Sequence, residues 1–562
     1  MQENEQRPMA AMRRSACVTT PAWPVRAVVA AAFVATGAHA FEIDTGNPDV
    51  EIRWDNTLKY NLGARLKNPD AGLIGDDIPA NVNNLNLDDG DRNFRRGVVS
   101  NRIDLLSEFD LAYRKNYGLR VSGAAWYDTV YNRRNDNDAP ARANQSSVAY
   151  DEFTEATRKL HGRKAEFLDA FVYGNFEKGN FRLGRHSLLY GETLFFGGNG
   201  IAYAQSPTDV IKLLAVPGSQ FKEIILPVNQ ISGQYQATET VSLGAYYQFE
   251  WRKTRIPAAG SYLSSVDVFD DGAENFLFAE GLPIVAPRIA DRKAGDSGQY
   301  GAQLRIKPRA VDVEIGLYAA RYNEKVFQAY LRPLGITDPT LPLNYQLVYP
   351  EDIKTYGVSL STVVSDVNVA TEFSIRRNTP LVGGPVVDAT LDGSCGIGSQ
   401  ACYAVGNSAH FNLSAIAFFN KNPLWNQASL LAEVGWNRRT SITRNAAELD
   451  PNTTRDAWGL RLVFEPQYFQ VLPSLDLSVP IGLGYNPKGN SSVVTQFNGG
   501  VDNGGDLSIG IKGTYAQLWK FGLNYTNFFG ARGGALGNDA NLTFKQSLAD
   551  RDFVTLTVQR TF

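Results

Sequence analysis

From residue 51 to 67 the chain alternates between apolar and polar side chains, with Asn56 the one polar residue on the apolar side. Ile52, Trp54, Leu58, Tyr60, Leu62, Ala64 and Leu66 occupy even positions, while Glu51, Arg53, Asp55 and Lys59 occupy odd ones. Successive side chains of a β-strand point to opposite faces, so this segment has one greasy face and one wet face. Strands of soluble domains run to about five or six residues, whereas a strand tilted across a bilayer needs about ten or more. Alternation of this length therefore favours a membrane strand.

The pattern recurs. Tyr117, Leu119, Val121, Gly123, Ala125, Tyr127, Thr129 and Tyr131 share a face, as do Val241, Leu243, Ala245, Tyr247, Phe249 and Trp251. The latter run follows Ile231, Gly233, Tyr235 and Ala237 across a turn at Thr238, Glu239 and Thr240, which makes a hairpin. The ten steps from Tyr117 to Tyr127, at about 3.3 Å each and a tilt near 40°, span roughly 25 Å of membrane. Further short connectors are expected near Lys115, Lys178, Pro308, Ser365, Pro423, Pro466 and Gln517. Long segments at 68–97, 132–164, 189–221, 253–298, 324–352 and 378–408 alternate with them. In membrane barrels short turns face the periplasm and long loops the exterior. The expected fold is all-β, a closed antiparallel transmembrane β-barrel of about 16–18 strands. Leu542–Leu548 is assigned to a loop because an odd strand count would separate the termini, and Pro480, which lacks an N–H, leaves sixteen strands open.

Composition fits this reading, with 51 Gly, 25 Tyr and 30 Phe against 3 Met, 3 Cys and 4 His. Fifty-five basic and 58 acidic side chains are spread along the chain, so no basic face is offered to nucleic acid. Arg13, Arg14 and Arg26, an apolar run from Ala27 to Thr36, and Ala38-His39-Ala40 have the order of a secretory signal cleaved after Ala40. Met12 gives a more usual start for such a signal, and Cys17 precedes its apolar core. Past Ala40 no stretch is long and apolar enough for a membrane helix. At the other end Val554, Leu556, Val558 and the terminal Phe562 share a face, as in strands read by the barrel assembly machinery, with Arg560 as the exception.

The segment 189–221 is too greasy for an exposed loop, holding Leu194, Phe195, Phe196, Ile201, Tyr203 and the run Val210–Val216. Ser206 and Pro207 read as cap and first residue of a short helix over 207–215, ended by Val216, Pro217 and Gly218. This loop is expected to fold inward as a constriction or plug, the alternative being a stiff external cap. Arg182, His186, Glu192, Phe195, Phe196, Asp209 and Lys212 are the candidates for contacting substrate. Lumen-side charges of both signs, Glu51, Arg53, Asp55, Lys59, Arg102, Asp104, Glu108 and Asp110, are expected to pair with one another. Cys395 and Cys402 are expected to form a disulfide, with free thiols as the alternative, and no metal is expected there because no histidine is near in sequence. The acidic tips Asp88, Asp89, Asp91, Asp136 and Asp138 lack calcium-loop spacing and read as solvated. No cofactor is expected.

TRKLHGRKAEFLDAFVYGNF, LGRHSLLYGETLFFGGNGIAYAQSPTDVIKLLAVPGSQFKEIILP and GAYYQFEWRKTRIPAAGSY, between Thr157 and Tyr262, resemble the proteobacterial family known as domain of unknown function 1302. The likeness runs from WDNTLKYNLGARL to DRDFVTLTVQRTF. It implies an outer-membrane barrel among outer-membrane lipids, with a periplasmic lipoprotein-like or lipid-exporter-like partner, and assigns no activity. The function expected is a channel or transporter for hydrophobic or amphipathic molecules. The alternatives are a structural or adhesive barrel and, more remotely, an outer-membrane lipase or esterase. The latter would use His186 and Ser187, whose adjacent strand positions point apart.

Overall fold

The structure, a computed structural model, describes residues 41–75, 84–216, 219–281, 284–388, 390 and 394–562. The expected leader, residues 1–40, lies outside them, as do Pro217 and Gly218. The barrel wall begins with β1 (Val50–Arg65), β2 (Gly97–Tyr113), β3 (Tyr117–Asp128), β4 (Arg163–Phe176), β5 (Gly179–His186) and β6 (Val228–Thr238). It continues through β7 (Val241–Gln248), β8 (Gln299–Ile306), β9 (Val313–Tyr322), β10 (Ile353–Val364), β11 (Val367–Pro380) and β12 (Val405–Phe419). The remaining strands are β13 (Gln427–Arg444), β14 (Asp456–Leu472), β15 (Leu475–Ser478 and Ile481–Lys488), β16 (Gly505–Tyr515), β17 (Trp519–Phe529) and β18 (Phe553–Thr561). Each pairs antiparallel with the next, and β18 returns to β1 from Thr57↔Thr561 to Arg65↔Phe553, closing eighteen strands into a barrel. Pro480 divides β15 without ending it, because Gly510 donates to the Pro480 carbonyl and Val479 to that of Pro466. The Leu542–Leu548 segment is a loop, as expected.

Burial is inverted relative to a soluble protein. From Thr57 on, the polar face of β1 is covered, with Lys59 and Asn61 each 3 % exposed, while Trp54 is 47 % exposed on the other face. Leu243, Leu317, Phe373 and Leu523 are likewise exposed apolar side chains. Such a surface is stable only in lipid, where the closed ladder satisfies every backbone group and no edge remains. The barrel is therefore an outer-membrane one.

Tight turns join the strands at the periplasmic end. Ser365 and Asp366 have φ of 48° and 67°, the left-handed pair of a two-residue hairpin matched to strand twist. One expected connector is misplaced: Pro466 lies within β14 opposite Ala428, and the turn falls at Pro473-Ser474. Proline marks both places, and only hydrogen-bond pairing decides which one turns.

The long loops build a lid, which alternation did not foretell. Asn275–Leu277 pairs with Val285–Pro287, and Gln328–Arg332 pairs with both Asn344–Val348 and Val386–Val387. Two residues expected on the lipid face instead turn into this lid: Trp251 packs edge-on against Tyr349, and Tyr131 against Phe94 and Phe153. Cys395 and Cys402 are bonded, Sγ–Sγ 2.06 Å, beside Tyr330, whose hydroxyl donates to Gly396 and accepts from the Cys402 amide. Asp88, Asp89 and Asp91 are buried, contrary to the solvated tips expected. Asp88 pairs with Arg92 at 3.0 Å and Asp91 with Arg65 at 2.5 Å. Burial of a carboxylate demands such partners: Arg92 is supplied by the same helical turn, four residues on, and Arg65 by β1.

Candidate functional site, a loop held across the lumen

The segment between β5 and β6 folds inward and is fastened to the inner wall by two arms. The first, Tyr190 to Gln205, crosses from its base to β13 and β14. Glu433 on β13 accepts with Oε2 from the consecutive amides of Leu194, Phe195 and Phe196, at 3.2 Å for Leu194 and 3.0 Å for Phe196. Glu372 on β11 accepts from the Glu192 amide at 2.9 Å, the Ile201 amide at 2.9 Å and the Thr193 hydroxyl at 2.7 Å. The neighbouring Arg376 donates to the carbonyls of Gly198 and Gly200, both at 2.9 Å. Two wall carboxylates thus gather loop N–H groups and one wall guanidinium gathers loop carbonyls, which are charge-assisted bonds of the stronger kind. The ring of Phe196 enters a recess left by Gly435 and Gly459, which face each other on β13 and β14. A Cβ at Gly435 would lie 2.9 Å from that ring, so only glycine leaves the recess open.

The second arm runs back along β1 to β4. Its helix, α1 (Val210–Ala215), starts later than the spacing predicts, with Asp209 as the cap accepting from the Lys212 amide at 2.9 Å. Ser206 does not cap; its hydroxyl donates to Leu188 O, and Pro207 O accepts from Leu226 instead. Asp209 pairs with Arg255 at 2.6 Å, and Arg255 pairs in turn with Glu166 of β4 at 2.7 Å. Lys212 and Lys59 of β1 both lie 3.5 Å from Glu223, and Lys212 lies over the Trp126 ring at 5.2 Å. Lys222 bonds Glu108 of β2.

The expected site residues thus divide. Glu192, Phe195, Phe196, Asp209 and Lys212 belong to the fastened loop, and Glu192 pairs with Arg305 of β8 at 3.1 Å. Arg182 and His186 share the inner face, since the β5–β6 ladder has no bulge, but Arg182 lies over Phe171 at 5.7 Å. His186 bonds Ser232 at 2.7 Å and not Ser187. Wall charges pair as expected in Arg53–Asp55 and Arg102–Asp104, both at 2.7 Å, whereas Lys59 and Glu108 also engage the loop. Glu372, Arg376, Glu433 and Arg255 were not singled out by sequence. Alternation places the wall residues on the inner face but carries no record of partners 170 to 240 positions away.

A chain Ser408–His410–Asn199 also fastens the first arm, at 2.7 and 2.9 Å. Its connectivity resembles an acyl-transfer triad, but each member is 1 % exposed, and the Asn199 amide is committed to Asn412 and to the carbonyls of Phe411 and Trp436. In this geometry it is a fastening.

While the loop's polar groups are buried against the wall, Leu194, Leu213 and Leu214 remain 36 %, 57 % and 44 % exposed. This is the reverse of what a loop in water would show.

A family model described as "Protein of unknown function (DUF1302)" matches residues 23–562. No curated protein sequence matches the chain. Among solved structures the barrel is similar to OccAB4 of Acinetobacter baumannii, at 9% identity and TM-score 0.42, covering 92% of this chain and 100% of that one. OccD3 (OpdP) of Pseudomonas aeruginosa is similar at 10% identity and TM-score 0.39, covering 93% of each chain. The outer membrane protein opdK of the same organism is similar at 11% identity and TM-score 0.40, covering 91% of this chain and 98% of that one.

Proposed function

For a chain that belongs to the DUF1302 family, we propose an outer-membrane channel whose in-folded loop narrows the lumen and presents an apolar surface to hydrophobic or amphipathic solutes. The observation that carries the reading is the exposure of Leu194, Leu213 and Leu214 on a loop whose charged and amide groups are spent on the wall. Exposed apolar area of this kind inside a polar-lined lumen favours solutes that can bury it, at about 25 cal/mol per Å² removed from water. A periplasmic lipoprotein or lipid exporter that hands over or receives the solute at the short-turn end is part of the same proposal.

The test is single-channel conductance of the refolded protein in a planar bilayer, with and without deletion of residues 192–218. The intact barrel is expected to be nearly closed, and the deletion to open it several-fold. Equal conductance of the two would remove the constriction, and silence of both would give precedence to an adhesive or structural role.

A further inference from the structure

Most of the outer face is apolar, but a stretch of its external rim on β9–β11 is not. Arg321 of β9 stands opposite Lys354 of β10, and Lys354 stands opposite Arg377 of β11. All three are on the lipid side, because Leu317, Tyr356 and Phe373, at even spacing along the same strands, are 44 %, 44 % and 42 % exposed. Their height is fixed by β10, where Lys354, Tyr356, Val358, Leu360, Thr362 and Val364 form one face. Ten residues at about 3.3 Å and a 40° tilt span roughly 25 Å. Val364, beside the Ser365-Asp366 turn, marks the periplasmic edge of the apolar band, so Lys354 marks its external edge, where headgroups begin.

Directly opposed residues on neighbouring strands hold their Cβ atoms about 5 Å apart, and like charges in that relation destabilise a sheet. Here three cations stand in a row. Asp352 offsets one of them, lying 2.6 Å from Arg321 and 3.9 Å from Lys354. Arg377 is exposed and has no ion pair among the described residues. The row therefore carries excess positive charge at a fixed height, in a setting where screening by water is reduced. Arginine fits a phosphate with paired N–H donors, and lysine adds a point charge.

We propose that Arg321, Lys354 and Arg377 form a binding site for the phosphate groups of an outer-leaflet glycolipid, whose acyl chains lie along the apolar face of β9–β11 below. The site is independent of whether the lumen conducts.

Native mass spectrometry of the folded, full barrel in detergent tests it, using bis-phosphorylated lipid A and the same glycolipid with both phosphates removed as probes. The wild type is expected to bind the phosphorylated lipid at least tenfold more tightly. R321Q/K354Q/R377Q is expected to lose that preference, and K307Q/R309Q, in the periplasmic turn, to keep it. Equal binding of the two lipids by the wild type, or a preference that survives the triple substitution, overturns the proposal. Migration on an unheated gel reports folding. Should the triple variant not fold, R377Q alone serves, with a loss of threefold or more expected and an unchanged preference counting against the site.

Discussion

Arg65 shows what a single side chain does at the external end of the lumen. It is 1 % exposed and lies 2.5 Å from Asp91 and 2.8 Å from Asp550, while donating to the carbonyls of Asp91 and Phe94. One guanidinium thereby joins β1, the loop after it and the loop before β18, the strand pair that closes the barrel. Removing it leaves two buried carboxylates with only Arg551, 3.8 Å from Asp91, as a nearby cation, at a cost approaching the about 3–5 kcal/mol of a broken buried pair. Arg65→Met is expected to lower the temperature at which the barrel loses its compact migration on a gel by several degrees, with Arg65→Lys between the two. An unchanged transition for Arg65→Met would show that the carboxylates find other partners. Of this arrangement the sequence displays only the inward direction of Arg65. Its partners are 26 and 485 residues distant, and no local pattern encodes them.

The strands were legible as elements because a period of two is imposed by lipid on one side and a polar lumen on the other, residue after residue. Their pairing order follows from short turns, of which Ser365-Asp366 is the plainest. The in-folded loop was legible only as an anomaly of composition. Its inward path rests on Glu372 and Glu433, each one inner-face carboxylate among many, and the helix start slipped from Pro207 to Val210 because Asp209 competes with Ser206 as cap and has Arg255 to hold it. Glu433→Ala strips the acceptor from three consecutive loop amides. Each unsatisfied buried donor costs about 1–3 kcal/mol, so the first arm should detach while the barrel stays closed. Raised and noisier conductance is expected, with unchanged thermal unfolding. A conductance equal to the wild type's would assign the hold to Glu372 and Arg376.

Over the whole molecule, the external lid is where protonation matters. Burial pushes Asp88 up to about 6, against the pull of Arg142 and Arg92, and burial with the nearby charge of Asp88 pushes Asp267 up to about 7. In an unfolded loop both would ionise near pH 4. The packed lid therefore holds more protons than the unpacked one between about pH 4 and 7, and the stability this gives is present on the acid side and lost as pH rises through 6 to 7. Hydrogen exchange, corrected for its intrinsic pH dependence, is expected to be slower at pH 5 than at pH 8 around residues 84–94 and 260–272, with Asp267→Asn flattening the difference. Stronger protection at pH 8 would reverse the sign of this linkage.

The joint between β1 and β18 also sets an order of events in time. Thr57 meets Thr561, and Asn56 exchanges both backbone bonds with Phe562, so the earliest wall strand to leave the ribosome takes the latest as its neighbour. Bringing together ends some 500 residues apart costs about 5 kcal/mol in chain entropy if nothing has formed between them, and much less once seventeen strands have zipped in sequence. Until then β1, covered only at Ile52–Trp54 by the preceding Phe41–Ile43, travels with a bare edge over residues 57–65, ready to template any passing strand. A chain interrupted before residue 553 keeps that edge bare for good, so the last few codons decide between a sealed cylinder and a sheet that recruits its neighbours.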